Sequence, residues 1–187
     1  MELKDIIDGI QPLPEASAAR LASYASEIRY PKGHHILQAG RREPDIFFIA
    51  RGIARAYVTH EGREITFWIG EEGAAVVSLR SYVRNEQGYE HIELMEDSTL
   101  YRLKRDDLER LYREDIHICN WGRKFAESEL LQTEEKLIPL LFTTAAERYR
   151  LLLEQHPGLL QRMPLEYLAS WLGITPVSLS RIRAKLK

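Results

Sequence analysis

The sequence has one cysteine, Cys119. It cannot form an intramolecular disulfide, and alone it cannot hold an iron–sulfur cluster or a thiolate zinc site. No stretch has the ~20 consecutive apolar residues that a membrane-spanning helix needs. The first residues, Met1-Glu2-Leu3-Lys4-Asp5-Ile6, are acidic where a signal peptide would be basic and then apolar. These absences predict a cytoplasmic protein with no membrane partner. There is no Walker loop, no GxGxxG, no His-x-His pair and no nucleophile–base constellation. The expectation is a protein that is not an enzyme and has no resident cofactor or metal.

The composition is that of a soluble globular chain, with 44% hydrophobic and 29% charged residues. A length of 187 residues suits one large domain, or a medium domain with a small one. The net charge of −2 argues against a nucleic-acid partner, but its distribution argues the other way. Residues 181–187, Arg-Ile-Arg-Ala-Lys-Leu-Lys, carry four cations and no acid. A basic tip on an acidic body orients a protein on DNA; it also suits a solvated helix end, where Lys and Arg are favoured.

Residues 1–27 show helical periodicity, with Ile6, Ile7 and Ile10 on one face and a break at Pro12 and Pro14. From Ile28 to about Leu103 short β-rich runs alternate with glycine turns. The runs are 36–39, 46–49, 54–58, 64–69, 74–77, 91–95 and 100–103. Many short strands at near-regular spacing predict an antiparallel sandwich or jelly roll. Residues 105–141 then read as one long helix or two. Ile118, Trp121 and Phe125 recur on one face, followed by Leu130, Leu131, Leu137, Ile138 and Leu141. That is more apolar surface than one barrel face needs. It points to a second helix from a partner subunit, with Ile118, Trp121 and Phe125 as dimerisation residues; packing on the chain's own sheet is the alternative. Thr144 and Glu147 form the pattern of a capping box, so a domain boundary is placed near Leu141, giving units 1–141 and 142–187.

The last unit contains the sharpest local signal. Residues 164–173 read as a short helix ending at Gly173, which can take positive φ. Ile174 is an apolar plug. Thr175-Pro176 is a helix start, a hydroxyl cap followed by proline where its missing N–H costs nothing. Leu179, Ile182 and Leu186 keep one face apolar. Two short helices around a tight turn form a helix-turn-helix, whose second helix enters the major groove of double-stranded DNA. The candidate DNA-binding residues are Thr175, Pro176, Val177, Ser178, Ser180, Arg181, Arg183 and Lys185. Arg181 can reach a guanine edge, while Arg183 and Lys185 suit phosphates.

With these residues in view, the sequence resembles the Crp/Fnr family of bacterial regulators along nearly its whole length. Pro31-Lys32-Gly33 with Gly40, Phe48-Ile49-Ala50-Arg51-Gly52 and Leu94-Met95-Glu96-Asp97-Ser98 look like the family's turns and closing strands. Ala169-Ser170-Trp171-Leu172-Gly173-Ile174-Thr175 and Leu179-Ser180-Arg181-Ile182 look like its helix-turn-helix. The short C-terminus and Glu147-Arg148-Tyr149 resemble a Bacteroidetes-type branch. The resemblance implies an α+β fold: an N-terminal antiparallel double-stranded β-helix (a jelly roll of the cyclic-nucleotide-binding type), a dimerisation helix over about 105–141, and a C-terminal helix-turn-helix lacking a full wing. It also implies a homodimer, with RNA polymerase and an unidentified small-molecule effector among the candidate partners.

At the family's effector site the chain departs from the pattern. The Gly-Glu pair that meets a cyclic nucleotide's ribose falls on Val77-Ser78, and the Arg-Ser pair that meets its phosphate falls on Gly88-Tyr89. Arg80 and Arg84 are the nearby substitutes. Without the bidentate arginine a cyclic phosphate loses a charge-assisted pair, so cAMP is not expected as the effector. Of the family's base-reading positions, here Pro176, Val177 and Arg181, only Arg181 keeps a polar type.

Three readings follow. The first is a DNA-binding homodimeric transcription regulator not controlled by cAMP. The second is a small-molecule sensor whose DNA-binding half is vestigial or sequence-blind. The third is a cupin-type metal enzyme using His34, His35, His60 and His91. Adjacent strand residues face opposite ways, so His34 and His35 cannot both point inward.

Overall fold

The structure is a computed structural model that describes residues 1–185. Leu186, expected on the apolar face of the last helix, and Lys187, part of the basic tip, lie outside the described residues. The order is α1 (Leu3–Ile10), α2 (Glu15–Ser23), β1 (Ser26–Tyr30), β2 (His35–Leu37), β3 (Ile46–Arg51), β4 (Ala54–His60), β5 (Arg63–Gly70), β6 (Ala75–Val76), α3 (Leu79–Arg84), β7 (His91–Leu94), β8 (Ser98–Leu103), α4 (Arg105–Glu114), α5 (Ile116–Phe142), α6 (Ala145–Gln155), α7 (Leu159–Arg162), α8 (Leu165–Trp171) and α9 (Pro176–Lys185). No described helix is long and apolar enough to cross a membrane.

The strands form two four-stranded antiparallel sheets, ordered β1-β8-β3-β6 and β2-β7-β4-β5. The fold is α+β, with this antiparallel core. Strand β3 shows how the layers are built. Phe47 and Ile49 point to the interior shared by the two sheets, with Leu37, Ala54, Ala56, Ile92 and Leu94 opposite. Ile46 and Phe48 point the other way, into a core closed by Ile6, Ile7, Leu21, Leu108 and Leu111 from the helices. A side-chain period of two thus gives β3 two buried faces, which is why 46–50 is apolar without alternation. The outer face of β4, Arg55 and Tyr57, lies under α8 instead. The C-terminal helices have their own core of Tyr149, Leu152, Leu159, Met163, Leu168, Ala169, Leu172 and Leu179, which also takes in Ile53 and Met95 of the roll.

Residues 105–141 form two helices, not one. The break is at Asp115, whose carboxylate accepts from the backbone N–H of His117 and Ile118 and so caps α5. Ser17 fixes that carboxylate with a 2.9 Å hydrogen bond.

Ile118, Trp121 and Phe125, expected as dimerisation residues, pack inside the chain's own core instead. Ile118 and Trp121 are 0% and 1% exposed, and Phe125 packs on the same core. The indole N–H of Trp121 donates to the Ile7 carbonyl at 3.0 Å, and Phe48 meets both aromatic rings edge-on. These three residues bind α5 to its own chain. The periodicity identified an apolar face correctly but not what covers it. Apart from Ile116 in its first turn, the exposed large apolar residues of α5 come later: Leu130, Leu131, Leu137, Ile138, Leu140, Leu141 and Phe142, from 45% to 83% exposed.

Helix α5 crosses Tyr112 at Gly122. A Cβ there would fall 2.5 Å from the Tyr112 ring, closer than real contacts allow. Gly122→Ala gains about 1 kcal/mol of helix propensity but overpacks this crossing at about 1–3 kcal/mol, so we expect net destabilisation. Gly9→Ala in α1, where a Cβ meets nothing within 4 Å, should be neutral or stabilising. Urea midpoints of the two variants check this; a Gly122→Ala protein as stable as wild type would refute the close packing.

Candidate nucleic-acid interface

Helix α8 ends in a tight hydrogen-bonded turn. Gly173 takes φ +71° and donates to the Ser170 carbonyl at 2.9 Å, while Ile174 N–H donates to Ala169 at 3.0 Å. This pair of bonds is a Schellman closure, which needs a left-handed residue at the glycine position. Arg148 of α6 donates to the Leu172 carbonyl (3.1 and 3.0 Å) and also to that of Thr143, so a guanidinium caps the end of α8. Helix α6 starts with the expected capping box: Thr144 N–H donates to the Glu147 carboxylate at 2.7 Å, and Glu147 N–H to the Thr144 hydroxyl at 3.3 Å.

Helix α9 starts directly after the turn. Ser178 N–H donates to the Thr175 hydroxyl at 3.2 Å, and Pro176 occupies the first helical position. Leu179 is fully buried and Ile182 half-buried against α6 and α8, which fixes the helix by one face. The opposite face is open. Thr175, Pro176, Val177, Ser180, Arg181 and Lys185 are exposed, and Ser178 and Arg183 are half-buried. None of Arg181, Arg183 and Lys185 has an ion-pair partner among the described residues.

The effector positions divide. Ser78 and Gly88 come face to face, both buried: a Cβ on Gly88 would sit 2.7 Å from the Ser78 hydroxyl and 3.3 Å from the Glu90 carboxylate. Val77 is half-buried just before them. Arg80 is turned away, paired with Glu86 at 2.8 Å, and Arg84 and Tyr89 are exposed. Neither arginine joins Ser78 and Gly88. Glu90, 5% exposed, closes the group, and the Ser78 hydroxyl has no hydrogen-bond partner among the described residues. The sequence reading missed Glu90, although an acid two residues after a glycine at the phosphate position was there to be noticed.

Histidines 35 and 91 do meet, with ring centroids 5.9 Å apart, and His35 bonds the Tyr57 hydroxyl at 3.0 Å. They lie beside Tyr57 on the outer face of their sheet, not inside the roll, while His34 stacks on Tyr30. Among the described residues no group of three or more His, Cys, Asp or Glu could hold a metal ion.

The sequence reading also missed how the C-terminal helices dock on the roll. The Arg162 guanidinium takes Glu72 bidentately (2.7 and 3.0 Å) and also pairs with Glu96. The hydrogen bonds from Arg162 hold the Glu72 carboxyl at about 2, well below the ordinary range. Ser170 accepts from Thr66 N–H at 2.9 Å. Lys136 of α5 lies over the Trp171 ring of α8 at 4.2 Å.

Residues 27–115 match a family model. It is the cyclic nucleotide-binding domain. A comparison with curated protein sequences finds no match to the chain. Among solved structures, the chain is similar to FixK2 from Bradyrhizobium japonicum, with TM-score 0.73 and 20% identity over 87% of this chain and 84% of that one. It is similar to the c-di-GMP responsive global regulator CLP of Xanthomonas campestris, with TM-score 0.72 and 15% identity over 92% and 91%. A protein from Eubacterium rectale, described as a transcriptional regulator of the Crp/Fnr family, gives TM-score 0.71 and 16% identity over 93% and 83%. At these identities the likeness is one of fold.

Burial lowers the Lys136 ammonium from 10.5 to about 7. Between those values the unfolded chain binds more protons at this site than the folded one. Stability contributed here therefore rises as pH goes from about 7 to about 10.5. Lys136→Met should flatten this rise relative to wild type in urea titrations across that window. Identical slopes for the two proteins would contradict the half-buried placement of Lys136 against Trp171.

Proposed function

We propose that the chain is a DNA-binding transcription regulator of the Crp/Fnr type in which α8, the turn and α9 form the helix-turn-helix. The observation that carries this is α9: capped at Thr175, pinned by Leu179, and presenting an exposed face with Arg181 and Lys185, beside the half-buried Arg183, none of which an acid among the described residues neutralises. Such a face meets phosphate oxygens and base edges. The names of the structural neighbours CLP and the Eubacterium rectale protein, both called regulators, support the reading. The boundary between the two functional units falls in the link between α5 and α6, and a DNA-binding role puts the protein in the cytoplasm.

The regulator acts as a homodimer through the late, exposed apolar face of α5, Leu130 to Phe142, rather than through Ile118, Trp121 and Phe125. A run of seven large apolar side chains is more than a monomer surface normally shows to water. RNA polymerase remains a partner on the strength of the family resemblance. The regulator does not answer to cAMP: Glu90 puts a carboxylate, and Gly88 no cation, where the phosphate would sit. A second reading, a sensor with sequence-blind DNA binding, is favoured by one observation: Pro176 and Val177 are exposed at the leading edge of α9 and offer no hydrogen-bonding side chain.

Gel shifts with Arg181→Ala separate the two. If Arg181 reads a guanine edge, losing it costs about 1–3 kcal/mol, roughly 5- to 150-fold, on the specific site. Arg183→Ala should weaken binding evenly across sequences and reduce its salt dependence. Undiminished specific binding by Arg181→Ala removes it as a reader, and equal binding to every sequence favours the second reading.

A further inference from the structure

A cleft of about 800 Å³ opens between the inner face of α5 and the body of the protein. Four separate parts of the chain line it: α1, the end of β5 with the turn at residues 70–74, the middle of α5, and the turn at residues 155–158 that follows α6. It shares no residue with the positions from Val77 to Tyr89. Its apolar lining includes Ile10 and Ile69 and two half-buried aromatic residues, Trp68 and Phe125, with the buried Phe48 ring behind Phe125 at 5.7 Å.

Its polar groups are uneven. Glu71 is engaged by His156 at 2.7 Å, and Glu72 by Arg162 and the Gly52 N–H. The Met1 ammonium on the rim donates to the Ala50 carbonyl at 2.9 Å. Asp5 accepts only from the Glu2 N–H. The Glu129 carboxylate has neither a hydrogen bond nor an ion pair among the described residues, yet it is half-buried on the face of α5 that lines the cleft. Burial pushes its pKa up, as expected for an acid without a counter-charge. The Met1 ammonium and His156 are thus already engaged, while Glu129 and Asp5 have no ion pair among the described residues.

We propose that this cleft binds an organic ammonium ion, with its cation at Glu129 and its flat apolar body against Phe125 and Trp68. An anion would meet four carboxylates, and a neutral molecule would bury Glu129 further without compensation. An ammonium supplies the missing charge and gains from the aromatic faces. The occupant touches the roll, α5 and the turn after α6 together, so it favours whichever arrangement of the C-terminal helices leaves the cleft formed. Its role as an effector rests on the regulator reading; its binding does not.

Isothermal titration calorimetry of the full chain with 2-phenylethylamine tests the site, with 3-phenylpropionate and ammonium chloride as comparators. The expected result is saturation at one amine per chain, no saturation with either comparator, and about tenfold or greater weakening in Glu129→Gln, the equivalent of about 1.4 kcal/mol. No saturation by the amine, equal binding of the propionate, equal binding of ammonium, or an unchanged affinity in a folded Glu129→Gln protein each overturns the proposal. DNA affinity measured on the same protein keeps the two claims apart. Amine binding without any DNA binding would overturn the regulator reading and leave the cleft intact; DNA binding without amine binding would do the reverse.

Discussion

The arrangement of the whole molecule depends on one buried cation. Arg55 stands on the outer face of β4, 1% exposed. Its guanidinium bonds Glu93 at 2.9 and 3.2 Å and also Glu64, and it lies between two rings, Tyr57 at 4.2 Å and Tyr167 at 3.7 Å. Burial alone would lower its pKa, but the bonds to Glu64 and Glu93 more than offset this and keep it charged. A charge taken out of water has to be compensated where it lies. The roll supplies the carboxylates and one ring; the second ring belongs to α8. Full compensation therefore exists only with the C-terminal helices docked. Arg162 with Glu72 and Glu96 makes a second tie of the same kind, and Ile53 and Met95 add an apolar one.

These ties decide what α9 can do. They hold α8 by the side that carries Tyr167 and Ser170, and α8 holds α9 through Leu168, Leu172 and Leu179. The turn at Gly173, capped by Arg148, leaves the angle between the two helices little freedom. Docking uses none of the exposed residues from Thr175 to Val177, nor Ser180, Arg181 or Lys185. The basic face stays open while its position is set by the roll and by α5. A molecule in the cleft beneath α5 would act on that same set of contacts.

What could be read from the sequence is what is local. Hydrophobic runs with glycine turns located seven of the eight strands, and Gly173-Ile174-Thr175-Pro176 gave the turn between α8 and α9 residue by residue, because caps and positive-φ glycines depend on near neighbours. Strand β1 was missed except for its centre at Ile28, since Ser26–Tyr30 shows little apolar signal. The sequence left residues 105–141 as one helix or two and did not place the break at Asp115, although the cap itself is local; only the Ser17 bond that fixes it comes from 98 residues away. The candidate site was less legible still. Arg55 looks like a solvent-facing residue of an alternating strand until Glu93 and Tyr167 are brought to it. At Ile118, Trp121 and Phe125 the periodic apolar face says that something covers it, a partner or the chain's own sheet, but not that Ile7 and Phe48 do.

The most direct test of the account is selection of bound sites from random double-stranded DNA by the full chain, followed by footprinting. A dimer with two α9 faces set by the same docking predicts one two-fold symmetric motif, with half-sites one helical turn apart, about 10–10.5 base pairs centre to centre. Recovery of sequences with no common motif, or of a single unpaired half-site, would contradict it.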